Sequence, residues 1–332
     1  NYDIRGFAHS QITPDFALKL GAALAITLLK QRHSTIYLGR DGRLSSPALA
    51  KALGNGLTQY GMNVIDIGTV STPTLNFAVH CDNKAECGIM VTASHNTKEY
   101  NGFKIIVRNQ VVAGEMLQKI KHLMLSDRPN HCQSGHIRTQ DISSQYLQAI
   151  IDNCSPKKDF KIVIDCANSI VGPIAKTLFN RLGYNLIPLF CDPDGNFPNH
   201  DPNPSDESNL QQLKASVLSH QADLGLAFDG DGDRLVVISG SGATVWPDQL
   251  LMIFARDILK RYPNTDIVFD VKSSFRLQQL VRELSGNPVM CKTGHSHVRS
   301  RVQKTGALVG GEFSGHIFFN DRWHGFDDGL YA

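Results

Sequence analysis

Apolar residues along the chain fall into short runs that alternate with longer stretches of helical spacing. Ile36-Tyr37-Leu38 leads into polar Gly39-Arg40-Asp41, and the pattern recurs twice. Ile162-Val163-Ile164 precedes Asp165-Cys166-Ala167-Asn168, and Ile267-Val268-Phe269 precedes Asp270-Val271-Lys272. Runs this short, rich in β-branched and aromatic residues, read as buried strands. Each is followed by a helical pattern, at 47–60, 172–182 and 275–284, that ends near Gly61, Gly183 or Gly286. Glycine there is the expected C-cap, because a helix often ends in a left-handed residue. A second apolar run follows each helix, at 64–67, 186–189 and 289–291. Strand–helix–strand units of this kind make right-handed crossovers and parallel pairing. The pattern therefore predicts an α/β fold: three similar α/β domains with mixed parallel sheets.

The junctions are expected near residues 140 and 242, giving domains 1–140, 141–242 and 243–332. A helix is expected over 143–152, followed by the punctuation Ser155-Pro156-Lys157-Lys158. Residues 192–209, rich in Pro, Asn and Asp, read as a long irregular loop, and Ser239-Gly240-Ser241-Gly242 as a turn.

Composition narrows the class. The chain has 332 residues, 42% hydrophobic and 19% charged, with a net charge of +2. That is an ordinary globular composition with no electrostatic footprint of a nucleic acid or membrane surface. Local cations are then ligand contacts. The longest apolar stretch, 20–29, is half of the roughly 20 residues that a membrane span needs. No signal-peptide pattern opens the chain. The seven cysteines are scattered without Cys-x-x-Cys spacing, as in reduced packing residues. The expectation is a cytoplasmic monomer acting on small molecules.

The densest chemistry is Asp229-Gly230-Asp231-Gly232-Asp233-Arg234, set between the apolar runs 224–228 and 235–238. Three carboxylates this close repel one another, and a bound cation is the natural way to hold them. All-oxygen ligation suits a hard ion, Mg²⁺ or Ca²⁺, better than zinc. The glycines let alternate side chains converge, and Arg234 beside the metal can grip a phosphate. An EF-hand would need glycine at the sixth position and glutamate at the twelfth, where this chain has Arg234 and Gly240. A haloacid-dehalogenase-type phosphatase would continue with Thr or Val, where this chain has Gly232 and Asp233.

Thr92-Ala93-Ser94-His95-Asn96 follows the apolar run 88–91, with Lys98 and Tyr100-Asn101-Gly102-Phe103-Lys104 next. A serine hydroxyl is a weak nucleophile unless it is activated or already carries the group transferred. Taken alone this segment is turn chemistry. Beside a metal-holding loop it points to a phosphoserine whose oxygens bind Mg²⁺, since phosphoryl transfer rests on charge neutralisation and positioning.

With these residues in view, the chain resembles the α-D-phosphohexomutases, in their bacterial phosphomannomutase/phosphoglucomutase branch. Residues 92–96 with 101–104 resemble the phosphoserine loop, and 229–234 the metal loop. Gly310-Gly311-Glu312-Phe313-Ser314-Gly315-His316 resembles the sugar-binding loop. Lys292-Thr293-Gly294-His295-Ser296 and Tyr2-Asp3-Ile4-Arg5-Gly6 match two further motifs. Thr97 stands where the family usually has proline, which is expected to loosen the loop. The resemblance implies domains arranged around a central cleft. It also implies a fourth, C-terminal domain beyond Ala332, which this sequence does not contain. Asp327 or Asp328 is expected to cap a helix barely begun at that end.

The implied activity interconverts hexose 1-phosphate and hexose 6-phosphate of mannose or glucose, with Mg²⁺ and a hexose 1,6-bisphosphate as intermediate and activator. Ser94 carries the phosphoryl group and, with Asp229, Asp231 and Asp233, ligates the metal. Arg234 and His95 stabilise the group in transfer, Lys104 is general base or charge stabiliser, and Arg5 lies nearby. Glu312 and Ser314, two apart on one side of an extended segment, read the sugar's O3 and O4, with His316 on the same side. Glycines 310, 311 and 315 are expected to admit the ligand closely. His295 and Lys272 are further phosphate or sugar contacts, and Tyr2, Arg40 and Arg43 weaker candidates. Rival readings are a phosphoglucosamine mutase, a metal-dependent phosphatase, or a sugar-phosphate-binding fragment without turnover.

Overall fold

The computed structural model describes residues 3–82, 85–108, 110–126, 134–154 and 159–332. Tyr2, Cys132 and the 155–158 punctuation lie outside the described residues. The chain divides into two compact units: residues 1–146 with 194–198, and residues 147–193 with 199–332.

In the first unit one sheet runs Ile4–Phe7, Tyr100–Val107, Cys87–Val91, Thr35–Arg40, Asn63–Thr69, Ile137–Thr139, with Gln110–Val111 paired to Tyr100–Val107. Thr35–Arg40 is parallel to both Asn63–Thr69 and Cys87–Val91, and Tyr100–Val107 returns antiparallel to Cys87–Val91. The 20–29 apolar stretch lies within the helix Pro14–Lys30, capped by Thr13, whose hydroxyl accepts from the Phe16 N–H. Its Leu20, Leu24 and Leu28 are fully buried in one cluster with Leu49, Leu53 and Leu57 of the helix Ser46–Gln59. Truncating one such leucine to alanine costs about 2–5 kcal/mol. Among the described residues no helix is long and apolar enough to cross a membrane.

The second unit holds two sheets. One runs Thr244–Val245, Leu235–Ser239, Leu224–Phe228, Lys161–Asp165, Asn185–Leu189; the other runs Asn287–Cys291, Asp266–Asp270, Val309–Gly311, Ile317–Phe319. Lys161–Asp165 and Asp266–Asp270 each lie between two parallel neighbours, and an antiparallel strand follows by a hairpin. The three sheets thus repeat one four-strand plan. The Ser94, Asp229 and Glu312 loops occupy the same place in it, the link from the third strand to its antiparallel return.

The predicted helices appear as Ser46–Gln59, Val171–Arg181 and Phe275–Glu283, and the 143–152 helix as Ser143–Asn153. Gly61 and Gly183 have φ of 87° and 82°, as a C-cap glycine requires. At the third helix the expectation fails. The left-handed residue is Ser285, at φ 59°. Gly286 is small for a different reason: a Cβ there would meet Leu259 Cδ2 at 2.6 Å. The 192–209 loop is irregular up to the short 3₁₀ turn Glu207–Leu210, and its 194–198 stretch packs with the first unit.

Candidate active site

Ser94 sits fully buried in the link after Cys87–Val91, at φ 53°. A left-handed serine is strained, and such strain persists only where the surroundings impose it. Here they do. Its N–H donates to Thr92 Oγ1 at 2.8 Å, and the Thr92 N–H donates to the Gly102 carbonyl at 3.0 Å. Ser94 Oγ lies 3.2 Å from His95 Nδ1. The main brace is Arg43. Its side chain is 1% exposed and donates to the carbonyls of Ser94 (2.7 Å), Asn96 (2.6 Å), Thr97 (2.6 Å) and Tyr100 (3.1 Å). Asp41 accepts from Arg43 Nε at 3.1 Å, and the Phe197 ring centroid lies 5.1 Å from Arg43 Cζ. Thr97 does not leave the loop loose, because Arg43 grips its carbonyl.

Arg5 joins this constellation: its Nη1 donates to Asn96 Oδ1 and its Nη2 pairs with Asp3, both at 2.8 Å. Lys104 is no exposed lysine. It is 3% exposed, on Tyr100–Val107 opposite Met90. Arg40 instead pairs with Asp66 at 3.1 Å, which ties two neighbouring strands.

In the second unit Asp229, Asp231 and Asp233 are at most 1% exposed. Asp229 Oδ1 accepts from the Gly232 and Arg234 N–H groups at 3.0 and 3.3 Å, which curls the loop over one carboxylate. The three side chains each present an oxygen within 4.8 Å of the others. A buried, all-oxygen, triply acidic set fits a hard divalent cation.

Beside it lies a second cluster. Arg234 Nε donates to His316 Nε2 at 3.0 Å, and His316 Nδ1 faces Asp327 at 2.8 Å and Asp233 at 3.5 Å. His295 Nδ1 is 3.6 Å from Asp327, and the two imidazoles stack at 5.3 Å. Burial resists protonation of His316, but Asp233 and Asp327 outweigh it, so its pKa is raised. Burial pushes Asp327 up, yet the His316 bond and neighbouring cations hold it far below the usual carboxylate range. A second proton on His316 would cost the bond from Arg234, which needs an Nε2 lone pair.

The Glu312 loop corrects the expectation of an extended segment. It is a tight turn: the Glu312 N–H donates to the His316 carbonyl at 2.9 Å and Gly315 N–H to the Glu312 carbonyl at 3.0 Å, with Gly315 at φ 105°. The two-residue period therefore does not apply here. Nor do Gly310 and Gly311 make room for a ligand. A Cβ on them would meet Val302 at 2.6 Å and Leu251 at 3.0 Å, so they serve internal packing. Glu312 Oε2 and Ser314 Oγ are buried and find no hydrogen-bond partner among the described residues. Such atoms call for an outside partner. Asp270, fully buried, ties this turn to two other loops by accepting from the Phe313 N–H (3.2 Å), Ser273 Oγ (2.9 Å) and Thr293 Oγ1 (2.8 Å).

The α/β/α domain models of phosphoglucomutase/phosphomannomutase match the chain in order: domain I at residues 1–130, domain II at 144–242 and domain III at 246–332. The chain belongs to this family. It is 44% identical over 333 residues to the phosphomannomutase/phosphoglucomutase of Pseudomonas aeruginosa, covering 100% of this chain and 71% of that protein. It is 44% identical over 332 residues to a phosphoglucomutase of Neisseria meningitidis, covering 100% and 72%. A crystal structure of a phosphoglucomutase/phosphomannomutase family protein from Burkholderia thailandensis superposes with a TM-score of 0.96 at 41% identity, over 99% of this chain and 73% of that one.

Within this phosphoglucomutase/phosphomannomutase chain, the structure gathers Ser94, His95 and Arg5 in the first unit. In the second it gathers the three aspartates, Arg234, His316 and His295. Lys272 stays apart, exposed on the loop after Asp266–Asp270. Sequence reasoning missed Asp41, Asp270 and buried Arg299, whose charge acts on Asp327. It rated Arg43 low and gave Asp327 only a capping role. Residues 329–331 form a turn and not the expected helix, and in it Asp328 accepts from the N–H groups of Leu330 and Tyr331 at 3.1 and 3.0 Å. The available signal was position: Asp41 directly follows the first strand of its repeat, and Asp270 is the last residue of the first strand of its own.

Proposed function

We propose that the enzyme interconverts hexose 1-phosphate and hexose 6-phosphate, of mannose or glucose, through a phosphoserine at Ser94. The observation that carries the reading is Ser94 itself, a buried left-handed serine on a braced loop with its hydroxyl on His95. Phosphoserine 94 gives its phosphoryl group to the free hydroxyl of the sugar monophosphate. The hydroxyl proton passes to a base, with Lys104 the candidate, and the P–O bond to serine breaks. The hexose 1,6-bisphosphate so formed turns over, and its other phosphate returns to Ser94 Oγ. His95, Arg234 and Arg5 offset the charge of the group in transfer.

Asp229, Asp231 and Asp233 would hold Mg²⁺, which supplies charge neutralisation to phosphoryl oxygens. Glu312 and Ser314 carry partnerless buried oxygens suited to a pair of sugar hydroxyls, and His316 and His295 are read as further sugar or phosphate contacts. Lys272, exposed on its loop, is read as a further sugar or phosphate contact. The reading takes the protein as a cytoplasmic monomer with small phosphosugars as partners.

The test is peptide mass spectrometry of residues 88–104 after incubation with Mg²⁺ and glucose 1,6-bisphosphate, with Ser94→Ala as control. Phosphate on Ser94, and loss of mutase turnover in Ser94→Ala, is the expected result. Turnover that persists in Ser94→Ala sinks the mechanism.

A further inference from the structure

A cavity of about 600 Å³ lies in the second unit beside the edge strand Asn287–Cys291 and the helix His295–Thr305. Asp266–Asp270 separates that edge from Val309–Gly311, the strand that leads into the Glu312 turn. None of the residues that line the cavity belongs to the Glu312 turn. Its two walls differ in chemistry. One carries Val271 and Met290, apolar side chains left 60% and 47% exposed. The other carries His297, Arg301 and Lys304 of the helix, with Lys292 from the end of the strand.

Positions 297, 301 and 304 are spaced four and three apart, so they form one stripe on the helix. No carboxylate lines the cavity. Among the described residues Lys292, Arg301 and Lys304 have no acidic partner. Burial pushes the Cys291 thiol in the wall up to about 11, so it stays neutral and does not oppose an anion. Like charges one turn apart repel and weaken a helix, and an anion would relieve that repulsion.

We infer that this cavity binds a small organic diphosphate of the nucleoside diphosphate class. Its phosphates would lie on Lys292, Arg301 and Lys304, and its organic body against Val271 and Met290. The volume falls in the range of small-molecule sites, roughly 300–1,000 Å³. Arginine offers a fork to one phosphate and lysine a point charge to the next. Because the cations are exposed, binding is weak and salt-dependent.

The inference is independent of the mutase reading and is tested on the whole chain by calorimetric titration with ADP, pyrophosphate and inorganic phosphate. ADP is expected to bind more tightly than pyrophosphate, and pyrophosphate more tightly than phosphate. Saturating glucose 1,6-bisphosphate should leave ADP binding unchanged. The double variant Arg301→Ala/Lys304→Ala, at exposed positions, should weaken ADP at least tenfold, since one charge-assisted hydrogen bond is worth about tenfold or more. It should keep mutase turnover and the wild-type circular dichroism. Met290→Ser should weaken ADP but not pyrophosphate. ADP binding that is displaced by glucose 1,6-bisphosphate, is equal to that of pyrophosphate, or is unaltered in the double variant overturns the inference. So does no ADP binding at millimolar concentration.

Discussion

Arg43→Ala removes the brace of the Ser94 loop, and the structure sets the size of the loss. Arg43 and Asp41 form an ion pair at 3.1 Å with both side chains at most 2% exposed. Removing one partner of a buried pair costs about 3–5 kcal/mol, because the other charge is left uncompensated. Four loop carbonyls also lose their donor, and those that cannot reach water add to the loss. For a domain near 150 residues this lowers the melting temperature by roughly 10–15 °C. Arg43→Lys keeps the charge but not the planar fork, so it should recover less than half of the loss.

The penalty should also depend on pH. Burial raises the Asp41 pKa above 3.8, and Arg43 is the strongest group opposing that rise. Without Arg43 the folded-state pKa climbs further. A raised folded value means stability present below the unfolded value and lost as pH rises. The Arg43→Ala deficit should therefore be smallest near pH 4 and larger at pH 7. The assays are urea unfolding at both pH values and the rate of Ser94 phosphorylation, expected to fall at least tenfold as the loop loosens. A variant with the wild-type urea midpoint and the wild-type phosphorylation rate would refute the reasoning.

Three further outcomes can be checked directly. Asp231→Asn should reduce Mg²⁺ affinity roughly tenfold or more in calorimetry, while raising the melting temperature of the metal-free protein by relieving carboxylate repulsion; a melting temperature unchanged without Mg²⁺ and an intact Mg²⁺ response would contradict it. His200 Nε2 lies 3.0 Å from Asp165 Oδ2, and although burial resists its charge, Asp165 raises its pKa above 6.5. That stabilisation is complete below the unfolded value and fades as pH rises through the folded one, so His200→Gln should cost about 1.5–3 kcal/mol at pH 6 and much less at pH 9 by urea unfolding. Ser285→Gly should stabilise by about 0.5–1 kcal/mol in the same assay, because glycine adopts φ 59° without the Cβ clash.

The strands and helices of the repeat were legible because their signals are local. Short apolar runs and helical spacing lie within a window of a dozen residues, and the paired strands emerged where the runs stood. The aspartate loop was legible for the same reason, since three carboxylates between two apolar runs leave little else to form. The errors arose where a residue's role depends on neighbours distant in sequence. Gly286, Gly310 and Gly311 look alike in sequence to ligand-admitting or capping glycines. Leu259, Val302 and Leu251 decide otherwise by occupying the space beside them. The Glu312–His316 segment reads as extended, but the antiparallel return of Ile317–Phe319 closes it into a turn.

The sequence by itself determined the α/β class, the threefold repeat and the residue types of the chemistry, since these follow from periodicity and from charges adjacent in the chain. Only the tertiary structure decided how those charges are held. Arg43 reaches across about fifty residues of chain to the Ser94 loop. Asp270 gathers three loops, and Asp327 turns to His316 while its neighbour Asp328 holds the turn at 329–331. The physical reason is that a buried charge must find partners wherever the fold brings them, and no local pattern encodes which ones those are.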